Sequence, residues 1–133
     1  MRGKDQPEKY ARGRGFVGEA IAEQYLIKRG GYEIIEKNFY TYFGEIDLIV
    51  KDLTSRELVF VEVKTRSSDA YGLPEEAVTK IKKARIAKSI DVYLRKNRRY
   101  EDSPKRVDVL AIQIDSGAQK AKVYHYKNID FGN

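Results

Sequence analysis

Cysteine and tryptophan are absent from this 133-residue chain, and it has one histidine, one methionine and three prolines. Without cysteine there is neither a disulfide framework nor a thiolate zinc site, and one histidine leaves little for an imidazole-based metal centre. A catalytic metal here would have to sit on oxygen ligands. No uninterrupted apolar run approaches the roughly 18 residues of a membrane span, and no apolar h-region follows the charged N-terminus. These features predict a cytoplasmic protein with no membrane partner. The 41% hydrophobic content is enough for one packed core,. Residues 15–133 are therefore expected to form one domain, preceded by a flexible basic segment over residues 1–14.

Charge is abundant but unevenly spread. The net charge is +6. Residues 1–14 hold five basic and two acidic side chains, residues 15–63 five basic and nine acidic, and residues 64–106 thirteen basic and six acidic. An acidic stretch between basic flanks suits an anionic polymer held against a cation-binding centre. A lysine-rich, well-solvated surface gives the same composition.

Apolar spacing predicts a helix over 16–29, where Val17, Ile21 and Tyr25 fall on one row before the Gly30-Gly31 stop. Three strands are predicted over 32–39, 45–51 and 57–64. A long helix is expected from Pro74, with Glu75 and Glu76 in its first turn, to about Arg98. Its apolar residues divide between Ala77, Ile81 and Ala84 on one side and Ile86, Ile90 and Tyr93 on another, so both faces are covered or the helix breaks. Strands over 107–114 and 121–126 complete an αβββαββ chain, an α/β or α+β domain with a mixed sheet.

The chemistry is concentrated in one hairpin, Gly44–Val50 and Leu58–Lys64. A turn centred on Thr54-Ser55 makes paired positions sum to 109, placing Asp47 opposite Glu62 and Glu45 opposite Lys64, all on one face. Like charges directly opposed destabilise a sheet, and among Ile, Leu, Val and Phe the cost of two anions is high unless a cation joins them. Mg²⁺ or Mn²⁺ fits such a site, because hard cations prefer carboxylate and water oxygens. A metal so held polarises a scissile phosphate, and Lys64 is placed to orient the attacking water or stabilise developing charge. The plain alternative is a neutralised cross-strand ladder of Glu45, Asp47, Glu62, Lys64 and Arg66.

Glu19, after Gly18 on the first helix, adds a further acid. Together with Gly31-Tyr32, Asn38, Gly44-Glu45-Ile46-Asp47, Phe60-Val61-Glu62-Val63-Lys64-Thr65-Arg66, Lys82, Arg85, Arg106-Val107-Asp108-Val109, His125 and Asn128, these residues carry a resemblance. Through nearly the whole chain, the sequence resembles the YraN-like family of bacterial proteins within the PD-(D/E)xK nuclease superfamily. The resemblance implies a restriction-endonuclease-like αβββαβ core with a mixed central sheet flanked by helices, here with one extra C-terminal strand. It implies that Asp47 and Glu62 bind metal, that Lys64 assists catalysis and that Glu19 reaches the same centre. It also implies likeness to archaeal Holliday-junction resolvases, which act as dimers on branched DNA. One departure is that the family often has a basic residue soon after the asparagine matching Asn38, where this chain reads Phe39-Tyr40-Thr41-Tyr42.

The resulting expectation is a metal-dependent deoxyribonuclease. Its ion would be held by Asp47, Glu62, the Val63 carbonyl and, through water, Glu19. DNA, branched DNA included, is the expected partner, and a two-fold homodimer suits an enzyme that cuts two strands. Arg12, Arg14, Arg66, Lys82 and Arg85 are the candidate nucleic-acid contacts. The rival is a nucleic-acid-binding module or accessory subunit of a DNA-processing complex that does not cut.

Other signals are weaker. Gly13-x-Gly15-x-x-Gly18 matches a dinucleotide fingerprint, but no strand precedes it. Tyr40, Tyr42 and Tyr71 are expected to be half-buried packing residues in preference to base-stacking ones. His125 is expected to be structural, and Asp108 to pair with a basic residue.

Overall fold

A computed structural model describes residues 7–67, 80–115, 117 and 119–130, the side chains of 7–16, 80 and 81 excepted. The order is α1 (Pro7–Arg29), β1 (Tyr32–Thr41), β2 (Gly44–Asp52), β3 (Leu58–Ser67), α2 (Lys80–Lys96), a short 3₁₀ turn (Arg98–Tyr100), β4 (Lys105–Asp115) and β5 (Lys120–Tyr126). The strands form one sheet in the order β1-β2-β3-β4-β5. Only β3 and β4 are parallel, joined by the α2 crossover, and the other neighbours are antiparallel. The fold is α+β, with a restriction-endonuclease-like core and one added strand.

Two apolar layers sandwich the sheet. On the α1 side, Ala22 and Leu26 meet Leu48, Val50, Val59, Val61, Leu110 and Ile112. On the α2 side, Ile86, Ile90 and Tyr93 meet Ile49, Leu58, Phe60 and Val107. β3 and the stretch of β2 from Leu48 onward thus supply alternate residues to opposite faces, as the two-residue period of a strand requires, whereas Ile46 packs on the α2 side like Ile49, so the alternation of β2 breaks at Asp47,.

Each strand lies where the pattern predicts it, most ends extended by one or two residues, with β3 starting one residue later and running three residues farther. The helices differ more. α1 begins at Pro7, nine residues before the apolar pattern starts. Proline suits a first helical position and Glu8 a first turn, a start that Gly13 and Gly15 obscure because glycine disfavours helix interiors. α2 runs unbroken from Lys80 to Lys96, and of the two apolar rows the one carrying Ile86, Ile90 and Tyr93 is buried, whereas Ala84 is exposed. The predicted start at Pro74, with Glu75, Glu76 and Ala77, lies outside the described residues.

The β2–β3 register agrees with the expected sum: Leu48 pairs with Val61, Ile49 with Phe60, Val50 with Val59 and Lys51 with Leu58. Asp52 organises the turn, accepting hydrogen bonds from the backbone N–H groups of Thr54 at 3.0 Å and Ser55 at 3.2 Å. This is an Asx-type turn, the local reason that an aspartate ends the strand.

At that same end of the sheet, Arg106 is buried with three carboxylates. Its guanidinium donates to Asp52 at 2.9 Å, Glu57 at 2.7 Å and Asp108 at 3.0 Å. His125 Nε2 lies 2.8 Å from Asp108, and the histidine's Nδ1 lies 3.1 Å from the Tyr25 hydroxyl. Burial would raise Asp108, but the hydrogen bonds from His125 and Arg106 outweigh it and hold the carboxyl below its ordinary value. The expected pairing of Asp108 and a structural setting for His125 both appear in this network, which ties α1, β4 and β5 together.

Candidate functional site

The opposite end of β2 collects acid instead of neutralising it. The β2–β3 pairing runs as far as Leu48 and Val61, and one step farther the Asp47 carboxylate accepts the Val63 backbone N–H at 2.7 Å. A side chain thus takes a donor that strand pairing would otherwise use, and this fixes Asp47 within the sheet.

Glu19 arrives from α1 because the helix comes close to β3. A Cβ on Gly18 would overlap the Thr65 side chain, so glycine is what permits the approach. Asn38 then joins two acids, its amide donating to Glu19 at 3.1 Å and Glu45 at 2.7 Å. Asn38 sits at φ +54°, a left-handed conformation that asparagine tolerates better than most residues and that reaims its side chain out of the strand's normal alternation,. Carboxylate oxygens of Glu19, Glu45 and Asp47 consequently lie within 4.8 Å of one another.

Glu62, Asp47 and Glu45 line a cavity of about 190 Å³ with Lys82, Arg85 and Ser89 among their neighbours. Asp47 is 8% exposed. Burial, then the Glu62 charge, drive its carboxyl up to about 8, against the pull of the Val63 hydrogen bond. Burial also raises Glu62, although the Lys82 and Lys64 charges oppose the rise. Lys64 is pushed below its ordinary value by burial and by contact with Lys82, with Glu62 and Asp47 pulling the other way. The Lys82 ammonium stands 3.8 Å from Glu62 Oε2, at the loose limit of an ion pair.

Predicted residues therefore separate into groups. Glu19, Asp47, Glu62 and Lys64 converge, the last three as the hairpin spacing implied and Glu19 as the family resemblance implied. Lys82 and Arg85 line the same cavity, Lys82 as a neighbour of Glu62 and Lys64. Val63 contributes its N–H to Asp47, while Arg66 is paired in register with Gln113 of β4 and does not line the cavity. The side chains of Arg12 and Arg14 lie outside the described residues.

Two expectations need correction. Glu45, read as the cross-strand partner of Lys64, turns instead to Asn38, Glu19 and Asp47, because the turned backbone at Asn38 offers it an amide donor. Tyr40 and Tyr42, read as packing residues, are 71% and 96% exposed. They belong to the β1–β2 tip, beyond the reach of either core layer. Tyr71 lies outside the described residues. Asn38 itself had no assigned role, and its sequence signals are its place among the residues that carry the family resemblance and its being a polar, turn-tolerant residue among strand formers.

This set of oxygens has the chemistry of a hard-cation site. Ligands on opposite sides of a magnesium ion are about 4.2 Å apart, so carboxylates within 4.8 Å reach that spacing by small side-chain rotations,. Fold and site together define an α+β domain whose mixed sheet carries a partly buried carboxylate cluster beside two lysines.

Residues 18–112 match the model described as "Uncharacterised protein family UPF0102", and the chain belongs to this family, the YraN-like group. A UPF0102 protein of Syntrophomonas wolfei is 42% identical over 114 residues, covering 86% of this chain and 94% of that relative. Those of Trichlorobacter lovleyi and Caldanaerobacter subterraneus are 44% identical over 105 residues and 46% over 101, each covered to 80%, with 79% and 76% of this chain. Among the described residues no helix is long and apolar enough to cross a membrane.

Proposed function

We propose that this protein is a metal-dependent nuclease that hydrolyses DNA phosphodiester bonds with Mg²⁺ or Mn²⁺. The observation that carries the reading is the meeting of Glu19, Glu45 and Asp47 within bridging distance, with Glu62 in the same cavity as Glu45 and Asp47, and Lys64 close enough to interact with the charges of Glu62 and Asp47. A bound divalent ion supplies Lewis acidity toward the phosphate and toward a water nucleophile.

The chain's own residues do the rest. Asp47 and Glu62 hold the ion, and Glu19 and Glu45 complete or orient its surroundings. The Val63 N–H fixes the rotamer of Asp47, and Asn38 does the same for Glu19 and Glu45, so the oxygens are positioned before substrate arrives. Lys64 Nζ donates to the attacking water or to a non-bridging phosphate oxygen as negative charge grows there. Arg85, at the cavity wall, meets the phosphate from the open side.

A panel of linear and branched DNAs incubated with Mn²⁺, beside a Lys64→Ala control, tests the reading. Cleavage that disappears in the control supports it, and cleavage equal in both proteins rejects it. A second reading, a non-cleaving DNA-binding module, is favoured by the Lys82–Glu62 contact, in which a protein ammonium partly answers the acid. It requires salt-sensitive DNA binding with no metal-stimulated cleavage on any substrate.

A further inference from the structure

The β1–β2 tip departs from ordinary turn chemistry. Thr41 pairs with Gly44, leaving a two-residue connection made of Tyr42 and Phe43. Such connections favour Asn, Asp and Gly because their usual turns need positive φ, yet neither aromatic adopts one,. The Thr41 hydroxyl holds the turn instead, accepting the N–H groups of Phe43 at 3.0 Å and Gly44 at 3.1 Å. It also lies 2.8 Å from the hydroxyl of the buried Ser89, which anchors the tip to α2.

That rigid mount presents apolar surface to solvent. Tyr40, Tyr42 and Phe43 are 71%, 96% and 36% exposed. Tyr42 and Phe43 pack edge to face at 5.4 Å, and Lys88 Nζ stands 5.3 Å from the Phe43 ring centre. Contiguous exposed aromatics on a fixed support mark an interaction surface, and a broken local rule is expected where function requires it. Arg85 and Lys88 border the open groove beneath the tip, and this groove shares Phe43, Gly44 and Arg85 with the carboxylate cavity.

Flat rings beside paired cations fit a nucleobase beside its phosphates. We propose that the tip is a base-stacking platform that holds an unpaired nucleotide next to the carboxylate cavity, making single-stranded or locally unpaired nucleic acid the preferred substrate class. The inference rests on the phosphodiesterase reading above. A base paired in the interior of a duplex is stacked on both faces and offers neither to Tyr42. Arg85 and Lys88, by contrast, meet phosphates of either form.

Fluorescence anisotropy in EDTA, with the full chain and a labelled 20-nucleotide oligothymidine or a 20-base-pair blunt duplex, tests this independently of cleavage. The wild type is expected to bind the single strand more tightly. Tyr42→Ala should weaken that binding by roughly 5- to 100-fold and duplex binding by less than about twofold, while Tyr42→Phe keeps both. Arg85→Ala and Lys88→Ala should weaken both forms and flatten the salt dependence.

The platform is rejected if the duplex is preferred or if Tyr42→Ala binds the single strand unchanged. It is equally rejected if the tyrosine change alters only self-association in sedimentation. Duplex binding with metal-dependent cleavage but no effect of Tyr42→Ala would overturn the platform alone. Failure to bind any nucleic acid would overturn both readings.

Discussion

Replacing Asp47 by asparagine should stabilise the metal-free protein, which is unusual for a buried polar residue with a good hydrogen bond. Asparagine keeps an oxygen for the Val63 N–H, so the 2.7 Å bond has a successor, while a carboxyl that must either ionise beside Glu62, Glu45 and Glu19 or take up a proton on folding is removed. Burial and the Glu62 charge raise the Asp47 carboxyl from 3.8 to about 8. At pH 7 the unfolded chain ionises this group and the folded chain largely does not. By linkage the penalty is at most about 4 kcal/mol. Sharing of charge with Glu62 and local relaxation reduce it, and a gain of roughly 1–3 kcal/mol is expected for Asp47→Asn. For a chain of this size that corresponds to about 3–10 °C in Tm.

The sign with pH follows from the direction of the shift. A carboxyl whose folded pKa is raised contributes stability that is full below its unfolded value and lost as pH rises through the folded one. The advantage of the asparagine variant should therefore be small near pH 4, grow steadily and level off above about pH 8,. Thermal melts followed by circular dichroism in EDTA between pH 5 and 9 measure it. Saturating Mg²⁺ should then raise the wild-type Tm and leave the variant nearly unmoved, since a ligand stabilises only the state that binds it. A variant less stable than wild type throughout, or a difference independent of pH, would refute the account of Asp47 as an acid held under electrostatic stress.

At the other end of the sheet the signs reverse. Asp108→Ala should cost about 3–5 kcal/mol by leaving Arg106 short of a buried partner, measurable by urea unfolding,. Because the folded pKa of Asp108 is lowered, its contribution should be intact above the ordinary aspartate value and be lost as pH falls below it, seen as an acid transition that the alanine variant lacks,. Gly18→Ala should lose about 1–2 kcal/mol despite better helix propensity, since the new methyl overlaps Thr65, and pairing it with Thr65→Ala should recover part of the loss in the same melts,. Lys82→Ala should tighten Mg²⁺ binding in calorimetry by removing a competing cation from Glu62, whereas unchanged binding would mean that the ammonium does not compete for the acid,.

The order of elements along the chain, the β2–β3 register and the convergence of Asp47, Glu62 and Lys64 were legible because hydrophobic periodicity and hairpin register are local rules. Once Leu48 is known to face one layer, Ile49 must face the other, and the register carries Val61 and Phe60 with them, although the rule fails at Asp47, where Ile46 and Leu48 fall in opposite layers. The role of Glu45 was not legible for the complementary reason. Its partner depends on the left-handed backbone at Asn38 and on how closely Gly18 lets α1 approach β3, and neither follows from the spacing within the hairpin. Lys82 is similar: a lysine on a helix has no visible direction until the crossover places that helix over β3. Tyr40 and Tyr42 misled the packing rule because β1 and β2 run on beyond both core layers to their tip, so aromatic content alone said nothing of burial.

The two charged regions of the sheet show how the domain separates stability from chemistry. Around Arg106, hydrogen bonds outweigh burial and keep Asp108 and Asp52 ionised, which makes that end a fixed tie between strands, helix and C-terminal strand. Around Asp47 burial and like charge outweigh the single backbone hydrogen bond, so the acids there remain incompletely answered by the protein. Such an imbalance costs stability in the metal-free chain, and an exposed ladder with each acid paired across the strand would avoid it. The same strands supply both ends: Asp52 ends β2 and Asp47 lies near its start. Rigid pairing at the first end holds the register that forces the acids together at the second, which is how a well-satisfied network at one end can sustain an electrostatically strained one at the other.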